Sequence, residues 1–260
     1  MLLKDKTIIV TGVGPGMGRK LATLGAAEGA RVAVSARSKG FIEEVAQAIT
    51  AAGGRAIAVP TDVADAKQCA RLAAATVEAF GRIDGLVNSA YKLASAVPFE
   101  EVDLAEWQAN MNVTCFGALR MIQAVLPAMK AQRDGAVINI SALASVQPAP
   151  GQADYATAKT ALGGATRQLA KELGPYGIRV NAARMGWLWG APVRGYVQWQ
   201  AKQSGVPEAE LIAQIAARIP LGVIPPEEEC AKSALFFVSD YARMVTGAVL
   251  DVNGGEYMAP

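Results

Sequence analysis

The feature that most constrains the fold of this chain is a regular alternation of short apolar runs with longer alanine-rich segments. The runs are rich in Val and Ile and lack polar alternation, which predicts strands buried on both faces, at 7–11, 31–35, 56–60, 85–88, 136–140, 178–181 and 249–252. The segments between them predict helices at about 16–28, 41–52, 66–80, 107–130, 155–173 and 226–238, several of which end at a glycine. Repeated strand–helix units predict a doubly wound parallel α/β sheet of about seven strands with helices on both faces.

The composition is that of a globular chain: 52% of the 260 residues are apolar and 18% are charged. Because α/β chains of about 250 residues often form one unit, we expect a single Rossmann-like domain over residues 1–260. Segment 187–220 interrupts the alternation, and we expect it to be a lid insertion that binds substrate. No apolar run is long enough to span a membrane, and the first residues predict a strand rather than a signal peptide. We therefore expect a cytoplasmic protein without a membrane partner.

The chain contains no histidine, which excludes His-based metal sites, Ser-His-Asp triads and Cys-His dyads. Three cysteines without paired spacing disfavour a disulfide framework or a cysteine metal site, so we expect no metal. The net charge is only +2 and the basic residues are scattered, which gives no indication of a nucleic-acid partner. Acid–base chemistry must therefore come from Tyr, Lys, Asp or Glu.

A glycine-rich loop follows the first predicted strand and leads directly into a predicted helix. Glycines allow a tight turn and close approach of the backbone to a pyrophosphate, while the helix N-terminus offers free N–H groups. Such a cluster alone can be an ordinary flexible turn, but its place in a long α/β pattern predicts a dinucleotide site. The expected contacts are Gly12, Gly14, Pro15, Gly16, Met17 and Gly18.

The end of the second predicted strand indicates which dinucleotide is bound. NAD-binding folds place an acidic residue there for the ribose hydroxyls, but this chain reads Ser35-Ala36-Arg37-Ser38. Arg37 supplies a fixed charge and a fork of donors suited to phosphate. The sequence therefore predicts NADP(H) in preference to NAD(H), with Ser35, Arg37 and Ser38 near the adenosine 2′-phosphate. The alternative is that Arg37 is a surface arginine in a loop.

Over nearly its whole length the chain resembles the short-chain dehydrogenases/reductases. The resemblance rests on motifs that occur in order: the glycine loop at 11–18, Asp62-Val63, Asn88-Ser89-Ala90-Tyr91, Asn112, Tyr155-Ala156-Thr157-Ala158-Lys159, and segments 178–181 and 245–255. It implies an oxidoreductase that interconverts a ketone and a secondary alcohol, commonly as a homotetramer or a homodimer paired through the two long helices. Further cofactor contacts implied by the resemblance are Asp62, Val63, Asn88, Ala90, Tyr155, Lys159, Gly186 and Leu188.

The resemblance also implies the catalytic roles. Tyr155 is expected to be the general acid and base, Lys159 to tune it and bind the nicotinamide ribose, and Asn112 to hold a water that links Lys159 to solvent. Tyr155 and Lys159 are four residues apart and share one helix face. Since an ordinary tyrosine has a pKa of about 10, we expect the ammonium and an oxidised nicotinamide to lower it.

One catalytic position departs from the family pattern. Relatives usually carry a catalytic serine thirteen residues before the tyrosine, where this chain has Ala142. Ser141 can replace it only if the strand bulges, because side chains alternate along an extended strand. Two further hypotheses are a deliberate Ser→Ala change that traps a ligand, which we favour, and a natural site without the serine. Ala142 also leaves open a second function, a catalytically silent dinucleotide-binding or sensor protein.

Departures also occur where nicotinamide and substrate are expected. Arg184-Met185-Gly186 stands in place of Ala-Pro-Gly, and Gly190 in place of a threonine, so backbone groups near Leu188 are expected to hold the nicotinamide amide. An apolar substrate wall is predicted from Tyr91, Leu143, Trp187, Trp189, Tyr196 and Trp199, although the aromatics can equally be core or interface residues. Such a wall suits a bulky hydrophobic ketone or alcohol. The Tyr-x-x-x-Lys spacing disfavours an enoyl reductase on the same fold.

Overall fold

The computed structural model describes residues 1–259, in which seven strands form one parallel sheet in the order β3-β2-β1-β4-β5-β6-β7. The strands are β1 Thr7–Thr11, β2 Arg31–Ser35, β3 Arg55–Ala58, β4 Gly85–Asn88, β5 Gly135–Ala142, β6 Ile178–Met185 and β7 Val249–Val252. The predicted fold class is confirmed. Strands β5 and β6 run farther than predicted, and their pairing continues without a break to Ala142 and Met185.

Helices cover both faces of the sheet. They are α1 Met17–Ala27, α2 Lys39–Ala51, α3 Ala66–Phe80, α4 Leu104–Met111, α5 Gly117–Gln132, α6 Ala153–Leu173, α7 Ala191–Ser204, α8 Glu208–Ala216 and α9 Glu227–Leu235. The helix predicted at 107–130 is α4 and α5 joined by a π-helical turn at Asn112–Phe116. No helix within residues 1–259 has the length and apolar character needed to cross a membrane.

Two apolar cores explain why the strands lack polar alternation. Ile8 and Val10 of β1 pack in the core shared with α1, α2 and α9, whereas Ile9 between them packs in the core shared with α3 and α5. Neighbouring residues of a strand point to opposite faces, and here both faces are covered. An uninterrupted apolar run is the result.

The segment between β6 and α9 has a small apolar core of its own. Helices α7 and α8 enclose Val197, Leu211, Ile215, Ile219 and Ile224, all buried. This core holds the two helices together beside the carboxyl end of β6. The segment predicted as a lid is therefore a helical pair, and its role as a lid stays a prediction.

Strands β6 and β7 are joined by a buried ion pair at Arg184, one of the positions that depart from the family pattern. The guanidinium makes two hydrogen bonds to Asp251, one of them Nη2 to Oδ2 at 2.7 Å, and lies 4.7 Å from the centre of the Tyr257 ring. The Arg184 and Asp251 side chains are 9% and 19% exposed. Removing one partner of such a pair leaves an uncompensated charge in a poorly solvated place.

Arg184→Ala is therefore expected to lower the free energy of unfolding by about 3 kcal/mol, as measured by chemical denaturation. Arg243→Ala is the matched control, because Arg243 pairs with Asp240 at 3.6 Å where both side chains are more than 60% exposed. Exposed pairs contribute roughly 0–1 kcal/mol. Equal losses in the two variants would contradict a structural role for the Arg184–Asp251 pair.

Candidate active site

Two adjoining cavities open at the carboxyl ends of the strands, beside β1 and β4. The chain builds the sheet outward from β1 to β3 and then returns to place β4 on the other side of β1. Open α/β sheets bind ligands in the crevice at such a switch point. The first cavity, of about 560 Å³, contains Tyr155 and Lys159, and the second, of about 770 Å³, contains Arg37. The glycine loop borders both.

The glycine loop has the geometry of a phosphate cradle. Gly12 has φ +68°, and a Cβ there would lie 2.5 Å from Cα of Ala90, so only glycine fits. A Cβ on Gly18 would collide with the carbonyl oxygen of Gly12, whereas Gly14 faces open space. Helix α1 begins without a side-chain cap, which leaves N–H groups directed at the cavity. The loop therefore fits the diphosphate of a dinucleotide.

The second cavity is suited to the adenosine end of such a cofactor. Arg37 and Ser38 are exposed along it, and Asp62, Val63 and Ala90 line it as well. Two predicted contacts lie behind this wall instead. Ser35 is fully buried at the end of β2, and Asn88 at the end of β4 donates from Nδ2 to Oδ1 of Asn139 at 2.9 Å. Both are strand residues that face the interior of the sheet.

Tyr155 and Lys159 lie one turn apart on α6 and border the first cavity together. The Lys159 ammonium is 5.6 Å from the centre of the Tyr155 ring and donates to the carbonyl oxygen of Ile140 at 2.5 Å. Tyr91 contacts Tyr155 edge-to-face, with ring centres 5.9 Å apart. The predicted pair is thus in place, in a cavity continuous with the glycine loop.

Burial dominates the ionisation of this pair. It raises the pKa of Tyr155, with Tyr91 adding to the effect, and lowers the pKa of Lys159 to about 8. The expectation of a lowered tyrosine pKa included an oxidised nicotinamide and stays a prediction. The protein groups alone raise the pKa of Tyr155, because burial desolvates the phenolate. At neutral pH the pair is a phenol beside an ammonium.

Known proteins resemble this chain along its whole length. The family described as enoyl-(acyl carrier protein) reductase matches residues 12–256. L-rhamnose 1-dehydrogenase (NAD(P)(+)) of Azotobacter vinelandii is 36% identical over 99% of both chains, and 3-oxoacyl-(acyl-carrier-protein) reductase of Thermotoga maritima is 33% identical over 98% of this chain and 99% of that protein. Among solved structures, levodione reductase superposes with a TM-score of 0.89 at 30% identity over 98% of both chains.

The chain belongs to the short-chain dehydrogenase/reductase family. It is an oxidoreductase of that family, whose members use nicotinamide cofactors. The match spans the glycine loop, the Tyr155–Lys159 pair and the C-terminal strand.

Asn112 does not reach the cavity. It opens the π-helical turn, and its side-chain oxygen accepts a hydrogen bond from Arg120 Nη2 at 2.7 Å. The Asn112 side chain is therefore directed at Arg120 rather than into the cavity. Its predicted role as a water-holding residue stays a prediction.

A buried carboxylate that the sequence did not single out fixes the start of α6. Asp154 is 1% exposed, and its oxygens accept from the Tyr155 N–H at 2.8 Å, from Asn110 Nδ2 at 3.2 Å and from the Ser95 N–H at 3.2 Å. Asn110 in turn accepts from the Thr114 hydroxyl at 2.8 Å. The network ties Tyr155 to α4 and to the loop after β4.

The structure excludes a bulge that would bring Ser141 into the serine position. Ser141 pairs with Arg184 and Ala142 with Met185 in an unbroken parallel register. Ala142 is extended, with φ −141° and ψ 152°, so its Cβ and that of Ser141 point to opposite sides of the strand. Both residues border the cavity, and Ala142 places a methyl group where relatives carry the hydroxyl.

The aromatic residues predicted as a substrate wall lie outside the cavity, except for Tyr91. Trp187 and Trp189 pack on the small core of α7 and α8, and Tyr196 and Trp199 extend that stack outward. Leu143 begins a 3-10 turn that leads away from β5. The cavity wall is built instead by Tyr91, Leu93, Ala94, Gln152, Leu188, Ala191, Pro192 and Val193.

Glu227 borders the cavity, although its sequence context gave no sign of it. It is the first residue of α9, and three consecutive glutamates after a proline are typical of a solvated helix start. A Cβ on Gly190 would collide with its side chain. The absence of a threonine at position 190 thus has a steric reason here, since the Glu227 side chain occupies that space.

Proposed function

We propose that this protein interconverts a ketone and a secondary alcohol with NADP(H), and that Tyr155 is the general acid and base. The observation that supports it is the pair of Tyr155 and Lys159 in one cavity with the glycine loop. A nicotinamide cofactor supplies or accepts the hydride. Tyr155 gives its phenolic proton to the carbonyl oxygen in reduction, and in oxidation its phenolate form removes the hydroxyl proton. Lys159, close to the ring, stabilises the phenolate that forms.

The preference for NADP(H) is proposed from the charge at the second cavity. Arg37 is exposed there beside Ala36 and Ser38, and residues 1–259 place no carboxylate in an ion pair with it. A guanidinium can bind the 2′-phosphate through two parallel N–H donors of its planar fork, a geometry that an ammonium or a hydroxyl does not offer.

Arg37→Asp is expected to raise the KM for NADPH by about 10–100-fold and to lower that for NADH, since a charged hydrogen bond contributes about 1.5–3 kcal/mol. Steady-state kinetics with both cofactors measure the change. Lys39→Asp is the matched control: Lys39 lies two residues away, is paired with Glu43 at 3.8 Å and does not line the cavity. An unchanged cofactor preference in Arg37→Asp would overturn the NADP(H) assignment.

The substrate is proposed to be a bulky hydrophobic ketone or alcohol. Leu93, Ala94, Pro192 and Val193 are apolar residues that line the same cavity as Tyr155, and helices α7 and α8 are proposed as its lid. NADPH oxidation with a panel of cyclic and aromatic ketones tests this substrate class. The relatives add a 3-oxoacyl thioester and an enoyl thioester to this panel. A sugar lactol is tested separately, for oxidation with NADP⁺. Turnover of the enoyl thioester alone would contradict ketone reduction, which the Tyr-x-x-x-Lys spacing favours.

A second candidate is a catalytically silent dinucleotide-binding or sensor protein, and Ala142 is the observation that favours it. This candidate function predicts that NADPH binds to the wild-type protein, but that neither the wild-type protein nor the Ala142→Ser variant reduces any substrate of the panel. Reduction of any ketone by the wild-type protein eliminates this candidate.

We also propose a homotetramer or homodimer paired through α4, α5 and α6. Gly163 and Gly164 leave open space on α6, where a Cβ would meet nothing within 4 Å, and Phe116 is exposed on the neighbouring turn. Small residues allow close helix contact between subunits. Light scattering on the purified protein gives the mass of the assembly.

We also propose that the protein is located in the cytoplasm.

A further inference from the structure

The N-terminus of α1 already faces an anion that the protein itself provides. Gly16 is the N-cap residue and gives no side-chain cap, and the first turn of α1 has no acidic residue. Glu227 reaches across from α9, and a Cβ on Gly16 would lie 2.8 Å from its Oε1. A carboxylate thus lies where the free N–H groups of α1 favour negative charge.

The surroundings are shaped to admit this side chain. Gly16 on one side and Gly190 on the other both lack the Cβ that would clash with it. Glu227 also borders the cavity between the glycine loop and α7, together with Gly14 and Pro192. The carboxylate therefore occupies the part of the cavity that the glycine loop offers to a diphosphate.

We propose that Glu227 competes with the cofactor diphosphate for the N-terminus of α1, and thereby weakens cofactor binding in a pH-dependent way. The proposal rests on the proposed use of a dinucleotide. Two anions at one helix terminus repel each other, and both need the same N–H groups. Cofactor binding must displace the Glu227 carboxylate or protonate it.

The charged groups around Glu227 set the direction of the pH effect. Arg194 of α7 and Lys20 of α1 attract the carboxylate, Tyr91 faces it from the loop after β4, and Glu228 and Glu229 lie on its own helix. Burial raises the pKa of Glu227 despite the two cations. Lower pH favours the neutral carboxyl group, which no longer repels a diphosphate, so cofactor affinity is expected to rise as pH falls.

The test measures binding of NADPH by fluorescence titration, without turnover, at pH 5.5 and pH 8. Compared with the wild-type protein, Glu227→Gln is expected to lower the Kd about tenfold at pH 8 and by a smaller factor at pH 5.5. At each pH, the Kd of the wild-type protein is divided by the Kd of the variant. The titration of the cofactor itself cancels in this ratio, because it affects both proteins equally. Glu229→Gln is the control, because it removes the same charge from the same helical turn, where Glu229 pairs outward with Lys232 at 2.8 Å. Its Kd is expected within about twofold of wild type.

A second probe separates local competition from a general change of charge. Adenosine 2′-phosphate has no diphosphate, so Glu227→Gln should leave its Kd unchanged. Glu227→Asp withdraws the carboxylate by one methylene group and should also tighten NADPH binding, which provides a test if the glutamine variant does not fold. Equal effects of Glu227→Gln and Glu229→Gln, or equal tightening of both ligands, would overturn the role of Glu227 but leave the proposed function intact. If neither NADPH nor NADH binds to any variant, the proposed function fails as well.

Discussion

Replacement of Tyr155 by phenylalanine is expected to reduce kcat for ketone reduction by about 10³-fold and to change the Kd of NADPH by less than about twofold. The substitution removes one hydroxyl and keeps the ring that contacts Tyr91 edge-to-face at 5.9 Å. The packing of α6 should persist, because the backbone N–H of Tyr155 still donates to Asp154. Steady-state kinetics and a cofactor titration on the same preparation measure the two quantities.

The size of this effect follows from the protonation of the Tyr155–Lys159 pair. Because burial raises the pKa of Tyr155, the phenol carries its proton across the neutral range and can donate it to a carbonyl oxygen. The Lys159 ammonium, with a pKa lowered to about 8, is present below that pH to stabilise the phenolate left behind. Phenylalanine can perform neither proton transfer.

Tyr91→Phe provides the matched control for Tyr155→Phe. Tyr91 is the other phenol in the cavity, its ring stands against Tyr155, and Lys159 Nζ lies 5.7 Å from its centre. We expect a change in kcat of less than about tenfold, since Tyr91 contributes wall rather than proton transfer. If Tyr91→Phe is inactive while Tyr155→Phe retains turnover, the acid–base role belongs to Tyr91.

Ala142→Ser is expected to raise kcat by about 10²–10³-fold in the same assay. The substitution places a hydroxyl donor at the end of β5, in the cavity that contains Tyr155. Such a donor stabilises the charge that develops on the carbonyl oxygen, which contributes about 2–4 kcal/mol to the transition state. The KM is expected to change much less, because the hydrogen bond strengthens mainly in the transition state.

Ser141→Ala is the control for Ala142→Ser. The unbroken register of β5 with β6 directs Ser141 to the opposite side of the strand, so its removal should change kcat by less than about threefold. A large loss of activity in Ser141→Ala, with no gain in Ala142→Ser, would show that Ser141 is the donor. It would then follow that β5 rearranges when substrate binds.

The fold could be predicted because each strand signals its burial locally. Ile8, Ile9 and Val10 are apolar in sequence since β1 is covered on both faces, and the same holds along the sheet. The glycine loop was equally readable, because Gly12 and Gly18 have no room for a Cβ. These features depend on the spacing of apolar residues and on the positions of glycines, and both can be seen in the sequence.

Side-chain direction in irregular segments could not be predicted. Asn112 fits the family pattern by sequence, but the π-helical turn and Arg120 hold it outside the cavity. Trp187 and Trp189 pack against the core of α7 and α8. An aromatic residue of a core cannot be distinguished by sequence alone from one that lines a substrate cavity. By sequence, Glu227 is typical of the solvated first turn of a helix. Only the tertiary structure shows that it lies beside Gly16, at the N-terminus of α1.

The Asp154 network has a consequence for redesigning the substrate range of this protein. Its hydrogen bonds link the loop at Ser95 to the first turn of α6, so we expect that enlarging the cavity at Leu93 or Ala94 would also displace Tyr155, the proposed proton donor. Pro192 and Val193 belong to a helical pair stabilised by a separate core. Mutant libraries directed at α7 should therefore broaden selectivity with less loss of rate than libraries directed at the loop after β4.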